Sequence, residues 1–354
     1  MKQKTLIFFV LTLFQVCIFG SSRPKKSKYG GKGRPKDVGF VISAYVPEYR
    51  DIDYKYAAAQ TSDLVLFSAE PTKSGGIKFH FHDEKLRDAR TKSAGKLLLT
   101  VGGGGRSANF YGITSNKRHR ESFVHALYQT MQKYDLQGVD FDWEQPQNNV
   151  EVEAYSNLIV ETAKLLKPKG LLVTAALHPW NDLLPQAKKV LDRVHLMSYD
   201  YGKKHSTLRN AKEHVEGMLK RGFMRHQLVL GIPGYGRNIN NLGEVKTYSE
   251  IVPKILDQTE DSDLHNNIYF NNLNTVRKKV RYAIKQGLGG VFLWEAGHDL
   301  LNHDKSILLT IKNYILNKNV LFDQSFDAHD RVTRRNKVPP KHRGRRRKIP
   351  VEEL

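Results

Sequence analysis

Three carboxylates stand at alternate positions in the stretch Gly138-Val139-Asp140-Phe141-Asp142-Trp143-Glu144. Successive side chains of a strand point to opposite faces. Asp140, Asp142 and Glu144 therefore share one side, and Val139, Phe141 and Trp143 the other. Like charges crowded where water is scarce repel strongly, which lifts the pKa of at least one of them. A carboxyl held protonated near neutral pH is what general-acid catalysis requires, with a second acid beside it in another charge state. The competing reading is a solvated acidic turn. The bulky apolar residues between the acids, and the helical patterns on both sides, weigh against it. Gly102–Gly105 after an apolar run would suit a phosphate cradle, but no Gly-Lys-Ser/Thr follows and no Gly-x-Gly-x-x-Gly occurs. The 14 histidines lack the spacing of a zinc site. Neither a metal nor a cofactor is expected.

The acids need elements to hold them, and the chain supplies a regular alternation. Short apolar, β-rich runs fall at Gly39–Val46, Asp63–Ser68, Lys96–Val101, Gln137–Trp143, Leu171–Ala176, Arg193–Ser198, Gln227–Ile232 and Gly290–Trp294. Helical patterns lie between them at Lys117–Tyr134, Val152–Lys167, Leu183–Leu191, Ala211–Arg221 and Val276–Gln286, with a last one from about Leu300 to Asn317. Weaker ones stand at Tyr54–Gln60 and Glu84–Ser93. Several runs are almost wholly apolar, as for parallel strands buried on both faces. Eight such runs alternating with helices point to an α/β fold, a (β/α)8 TIM barrel, whose chemistry sits at the C-terminal strand ends. Glu144, His178, Tyr199, Asp200, Tyr235, Trp294 and Glu295 all end or follow a run.

The flanks differ from this body. Lys2 and Lys4 precede an apolar run from Leu6 to Phe19 and the small residues Gly20, Ser21 and Ser22, the pattern of a secretory signal peptide over 1–22. The run is too short to be a comfortable transmembrane segment. The single cysteine, Cys17, lies inside it, so the secreted, extracellular chain would fold without disulfides. Residues 23–37 form a basic linker with seven Lys/Arg against one Asp. In 331–354 ten Lys/Arg stand against two Glu. With the two lysines of the signal segment, these account for all but +5 of a net charge of +21. The expected organisation is therefore one large (β/α)8 domain over 38–322 and a basic, disordered tail over 323–354. Such tails bind polyanions, a heparin-like glycan or an anionic surface, with steep salt dependence. Equal heparin-column elution of the full chain and a 331–354 deletion would rule that out. The ending Val351-Glu352-Glu353-Leu354 is a poor match to a signal for retention in the secretory-pathway lumen. A monomer is expected.

The motifs together resemble glycoside hydrolase family 18, the chitinases and chitinase-like lectins. The fourth-strand pattern Asp-x-x-Asp-x-Asp-x-Glu reads Gln137-Gly-Val-Asp140-Phe-Asp142-Trp-Glu144. Ser-x-Gly-Gly reads Thr100-Val101-Gly102-Gly103, and Met-x-Tyr-Asp reads Met197-Ser198-Tyr199-Asp200. Gly231-Ile232-Pro233, Tyr235-Gly236-Arg237 and Gly289–Glu295 complete the set. The resemblance implies a retaining, substrate-assisted mechanism, in which the substrate's own N-acetyl oxygen attacks the anomeric carbon. Glu144 would be acid and base. Asp142 would hold the N-acetyl N–H, Asp140 would tune Asp142, and Tyr199 would align the acetamide carbonyl. Substrate binding would fall to Tyr45, Phe67, Gly103, Met197, Asp200, Tyr235, Arg237 and the stacking floor Trp294. The implied partner is an N-acetylglucosamine-containing polysaccharide or oligosaccharide, cleaved at β-1,4 links. The alternative is a lectin on the same barrel, although lectin relatives typically lose the acid that Glu144 retains.

Four departures from the family pattern carry expectations. Gln137 replaces the outermost Asp; its amide is expected to hydrogen-bond Asp140 and shift the pH profile. Residues 103–106 lack an aromatic after the paired glycines, and Gln145 replaces another beside the acid. The segment from Arg237 to Val291 is too short for a large α+β insertion, which implies a shallow groove. His178 and Trp180 are read either as an aglycone subsite or as rim packing.

Overall fold

The computed structural model describes residues 39–317, apart from Ala94 and residues 256–261. Residues 1–22 with Cys17, read above as a signal peptide, and the expected basic linker and basic tail lie outside the described residues. Eight parallel strands are β1 (Val41–Pro47), β2 (Asp63–Pro71), β3 (Lys96–Gly102), β4 (Gly138–Asp142), β5 (Leu172–Leu177), β6 (Arg193–Leu196), β7 (Leu228–Pro233) and β8 (Gly290–Trp294). Each pairs in parallel with the next, and β8 pairs with β1 to close the ring. The crossovers run through α1 (Tyr54–Gln60), α2 (Asp83–Lys92), α3 (Lys117–Lys133), α4 (Asn149–Leu166), α5 (Pro185–Val190), α6 (Leu208–Lys220), α7 (Leu273–Lys285) and α8 (Ile307–Asn317). The (β/α)8 barrel read from the sequence is the observed fold.

The strand alternation divides the core in two. Leu64, Leu66, Leu97, Leu99, Val139 and Phe141 face outward into the cluster beneath the helices. Val65, Leu98, Val229 and Phe292 face inward with Tyr45, Phe67, Met197 and Tyr199. Each buried Leu or Phe contributes about 1.5–3 kcal/mol, so the larger outer cluster carries most of the stability and the inner wall is open to polar residues. At the barrel's base, Arg193 Nη1 donates to buried Asp63 Oδ2 (2.6 Å).

Local signals fix the helix starts. Asp53, Asn116, Asn148, Thr207 and Asn272 each accept a backbone N–H in the first turn of α1, α3, α4, α6 and α7. The last helix begins at Ile307 rather than near Leu300. Asp299 accepts from the N–H groups of Ile307 and Leu308 and from the Ser306 hydroxyl, so the residues before it form a turn. The stretch after β7 holds no large domain, but it carries a small antiparallel sheet of Tyr235–Asn238, Val245–Thr247, Leu264–His265 and Ile268–Tyr269. No helix among the described residues is long and apolar enough to cross a membrane.

Candidate active site

Strand register brings the acids to their partners. Thr100 on β3 and Thr174 on β5 stand level with Asp140 on β4. Asp140 is fully buried and completely engaged. Its Oδ2 accepts from the Tyr45 hydroxyl (2.6 Å) and lies 3.5 Å from the Thr100 hydroxyl. Its Oδ1 accepts from the Thr174 hydroxyl (2.6 Å) and lies 3.0 Å from His195 Nδ1. The Tyr45 oxygen is also 2.9 Å from His195 Nδ1, so four elements of the barrel wall meet at this carboxylate.

Two residues on, Asp142 is equally deep, 3 % exposed, but its Oδ1 has no hydrogen-bond partner among the described residues. Burial, then the charges of Glu144 and Asp140, push its carboxyl well above the ordinary aspartate value. Glycine lets the chain pass here. Gly103 has φ +96°, and a Cβ on it would lie 2.3 Å from the Phe67 ring. Beyond the strand end, Glu144 keeps 32 % of its side chain exposed, and its N–H donates to the Ser107 hydroxyl (3.0 Å). Its Oε2 is 3.9 Å from His178 Nε2. The peptides Phe67–Ser68, Glu144–Gln145 and Trp294–Glu295 at this face are cis.

Aromatic rings line the mouth. Trp294, half-buried, meets Tyr45 at 5.3 Å and Phe67 at 4.8 Å, edge to face. Tyr199 packs on Phe292 and Tyr235 at 6.1 and 6.3 Å. Burial first, then Tyr235 and Asp142, hold the Tyr199 hydroxyl protonated far above neutral pH, which leaves it a hydrogen-bond donor. Met197 is buried in the same inner cluster. Asp200, at φ +60°, accepts from the Tyr235 hydroxyl (2.8 Å) and from Arg237 Nε and Nη2 (2.5 and 2.7 Å). Burial alone would raise its pKa; the His205 ring beside it and the Arg237 hydrogen bonds outweigh that and hold it below the usual carboxylate range.

The expected residues thus gather at one end of the barrel, with one exception. Gln137 does not reach Asp140. Its Oε1 accepts from Arg90 Nη1 (2.7 Å) and the Leu97 N–H (3.0 Å), and its Nε2 donates to the Asp135 carbonyl (2.5 Å). It lies at the opposite, N-terminal end of β4, and an odd-numbered position alternates to the face away from Asp140 and Asp142. The expected hydrogen bond to Asp140, on which the pH expectation rested, is not formed.

Gln145, named only for the aromatic it replaces, anchors one: its Oε1 accepts from Trp180 Nε1 (2.9 Å) and Asn181 Nδ2 (3.3 Å). Trp180 is 50 % exposed and stacks on His178 at 4.5 Å, so the pair forms a solvent-facing ring platform beside Glu144. Sequence reasoning passed over His195 and Thr174. Parity on the sixth run held the signal, since Arg193, His195, Met197 and Tyr199 share one face.

A closed parallel barrel with a carboxylate-bearing fourth strand opening among aromatic rings defines a glycosidase-type site. Comparison with known proteins agrees. The pattern of glycosyl hydrolases family 18 matches residues 27–299, and the chain belongs to that family. It is 26% identical to the class V chitinase CHIT5a of Medicago truncatula, covering 83% of this chain and 93% of the relative. The class V chitinase CHIT5 of Lotus japonicus is 24% identical, over 75% of this chain and 84% of the relative. Among solved structures, the family 18 chitinase ChiB of Flavobacterium johnsoniae matches with TM-score 0.68 and 26% identity, over 78% of this chain and 93% of its own. A class V chitinase mutant of Cycas revoluta in complex with (GlcNAc)3 shares the fold with TM-score 0.69 and 22% identity, over 78% and 99%. The protein is a glycosidase.

Proposed function

We propose that this glycosidase cleaves β-1,4-linked N-acetylglucosamine glycans, chitin or its oligosaccharides, with retention and with the substrate's own acetamide as nucleophile. The observation that carries the reading is Asp142, a buried carboxyl at the cleft floor with an oxygen that has no hydrogen-bond partner among the described residues. An acetamide N–H would donate to that oxygen. As the acetamide oxygen attacks the anomeric carbon, positive charge develops on the resulting ring, and a carboxylate below it is stabilising. Glu144, exposed enough to meet substrate, protonates the departing glycosidic oxygen and then takes a proton from the incoming water. Tyr199 donates its hydroxyl to the acetamide oxygen and keeps it in line. Trp294 offers a ring face to the sugar's C–H surface, with Tyr45, Phe67, Gly103 and Met197 around the acetamide methyl. Asp200, set by Tyr235 and Arg237, accepts sugar hydroxyls.

The CHIT5a and ChiB relatives are named chitinases, which supports this substrate class. Export through the amino-terminal segment, a domain bounded at 38–322 and a solitary chain are proposed on the sequence alone. The test is fluorophore release from N-acetylchitooligosaccharide glycosides by wild type and Glu144→Gln. Hydrolysis predicts turnover lost by about 10²–10⁴-fold in the variant with oligosaccharide affinity kept. Binding without turnover in both proteins would instead leave the lectin reading.

A further inference from the structure

We infer that Lys279 is a positioning residue: through Ser206 it fixes the loop that carries Tyr199 and Asp200, and its proton makes that support respond to pH. Lys279, on α7, has no exposed surface. Its Nζ donates to Ser206 Oγ and to Asn271 Oδ1, both at 2.6 Å. Both partners are neutral, an unusual setting for an ammonium, which is rarely buried without a paired charge.

The bonds continue towards the cleft. Ser206 Oγ donates to the Ser198 carbonyl (2.9 Å), and the Ser206 carbonyl accepts from Asn271 Nδ2 (2.8 Å). Ser206, Asn271 and Ser198 are all buried. The lysine therefore ties α7 and the segment before it to both ends of the turn from Ser198 to Ser206. Tyr199 follows the first anchor directly. His205, next to the second, has Nδ1 3.3 Å from Asp200 Oδ1 and its ring over Tyr235 at 5.1 Å.

Burial pushes the Lys279 ammonium down to about 7, with Asp263 opposing. The other groups facing the site are His205 on the turn, with Asp200 and Arg237 beyond it, and His214 on α6. Burial first, and the ammonium after it, disfavour a proton on either histidine. Asp263 is itself engaged by Asn272 N–H (3.0 Å), the Thr275 hydroxyl (2.8 Å) and the Tyr269 hydroxyl (3.3 Å). Charge-assisted hydrogen bonds are about twice as strong as neutral ones. Loss of the lysine proton therefore slackens the hold on Ser206 without breaking it.

The inference about substrate rests on the function proposed above, and two measurements separate the two. KM and kcat of the full chain on a fluorogenic diacetylchitobioside are followed from pH 6 to 8.5 for wild type, Lys279→Met and Ser206→Ala. Wild-type KM is expected to rise about threefold to tenfold across that range. In both variants KM starts at the high value and stays flat, with kcat changed less. A flat wild-type KM, or variant curves parallel to wild type, overturns the inference.

Urea unfolding between pH 7 and 9.5 reads the lysine without substrate. The folded chain loses this proton at lower pH than the unfolded chain, so the unfolded state holds more protons in that window and stability rises with pH. Wild type should show that rise relative to Lys279→Met, and equal slopes overturn the inference whatever the substrate. A glycoside left uncleaved at every pH, with the unfolding difference present, removes the substrate reading and leaves the lysine's.

Discussion

Asp140 and Asp142 sit two residues apart on one face of β4, both buried, and the barrel treats them in opposite ways. Asp140 receives hydroxyls from Tyr45 and Thr174 and stands beside His195 and Thr100. Asp142 is left with a bare oxygen, and its carboxyl is pushed up by burial and by its acidic neighbours. A buried polar atom without a partner costs about 1–3 kcal/mol, and a fold that fully satisfies one aspartate had means to satisfy the next. The contrast separates a residue that shapes the site from one whose partner arrives with the substrate.

Substitutions can break or sharpen this contrast. The largest effect is expected from Asp142→Asn: turnover falls by about 10²–10³-fold because an amide cannot become the carboxylate that balances the developing cation. The same change should stabilise the fold at neutral pH. Asp142 has its pKa raised in the folded state, so the folded chain holds the extra proton as pH rises from the ordinary aspartate value, and wild type loses stability across that window. The advantage of Asn should grow with pH and vanish towards pH 4; urea titration at both ends checks it. Asp140→Ala should act mainly on stability. It removes the acceptor shared by Tyr45, Thr174 and His195 and leaves them only their weaker contacts, Tyr45 with His195 (2.9 Å) and Thr174 with the Val139 carbonyl (3.1 Å), at a cost of about 1–3 kcal/mol, read as a lowered unfolding midpoint. If Asp142→Asn destabilised the protein as much as Asp140→Ala, the two acids would not differ as described. The smallest effect belongs to Gln137→Asp at the far end of the strand. Its pH–rate curve should superimpose on wild type, with stability changed by at most about 1 kcal/mol.

Much of this was legible in the chain because the signals were strong and local. Eight apolar runs separated by helical patterns leave few folds besides the barrel, and period-two alternation alone put Asp140, Asp142 and Glu144 on one side. That same alternation argued against Gln137, whose odd position belongs with Val139 and Phe141; the motif's outline concealed it. His195 escaped notice because a single histidine in an apolar strand carries no local mark of its partner, and Asp140 lies 55 residues away in the chain. The small sheet after β7 uses strands of two to four residues, too short for periodicity to register. The chain of bonds from Lys279 to the Tyr199 turn joins four segments, and no spacing rule links them.

The central claim is that the substrate's acetamide, steadied by Asp142, performs the attack while Glu144 moves the proton. It is tested most directly by comparing two aryl glycosides of the same leaving group, one on N,N′-diacetylchitobiose and one on cellobiose, where a hydroxyl replaces each acetamide. The account predicts hydrolysis of the first and a rate lower by at least about 10³-fold for the second, since effective molarities of well-placed intramolecular groups are of that order or larger. Comparable rates on the two would contradict it, because the nucleophile would then have to come from elsewhere than the sugar.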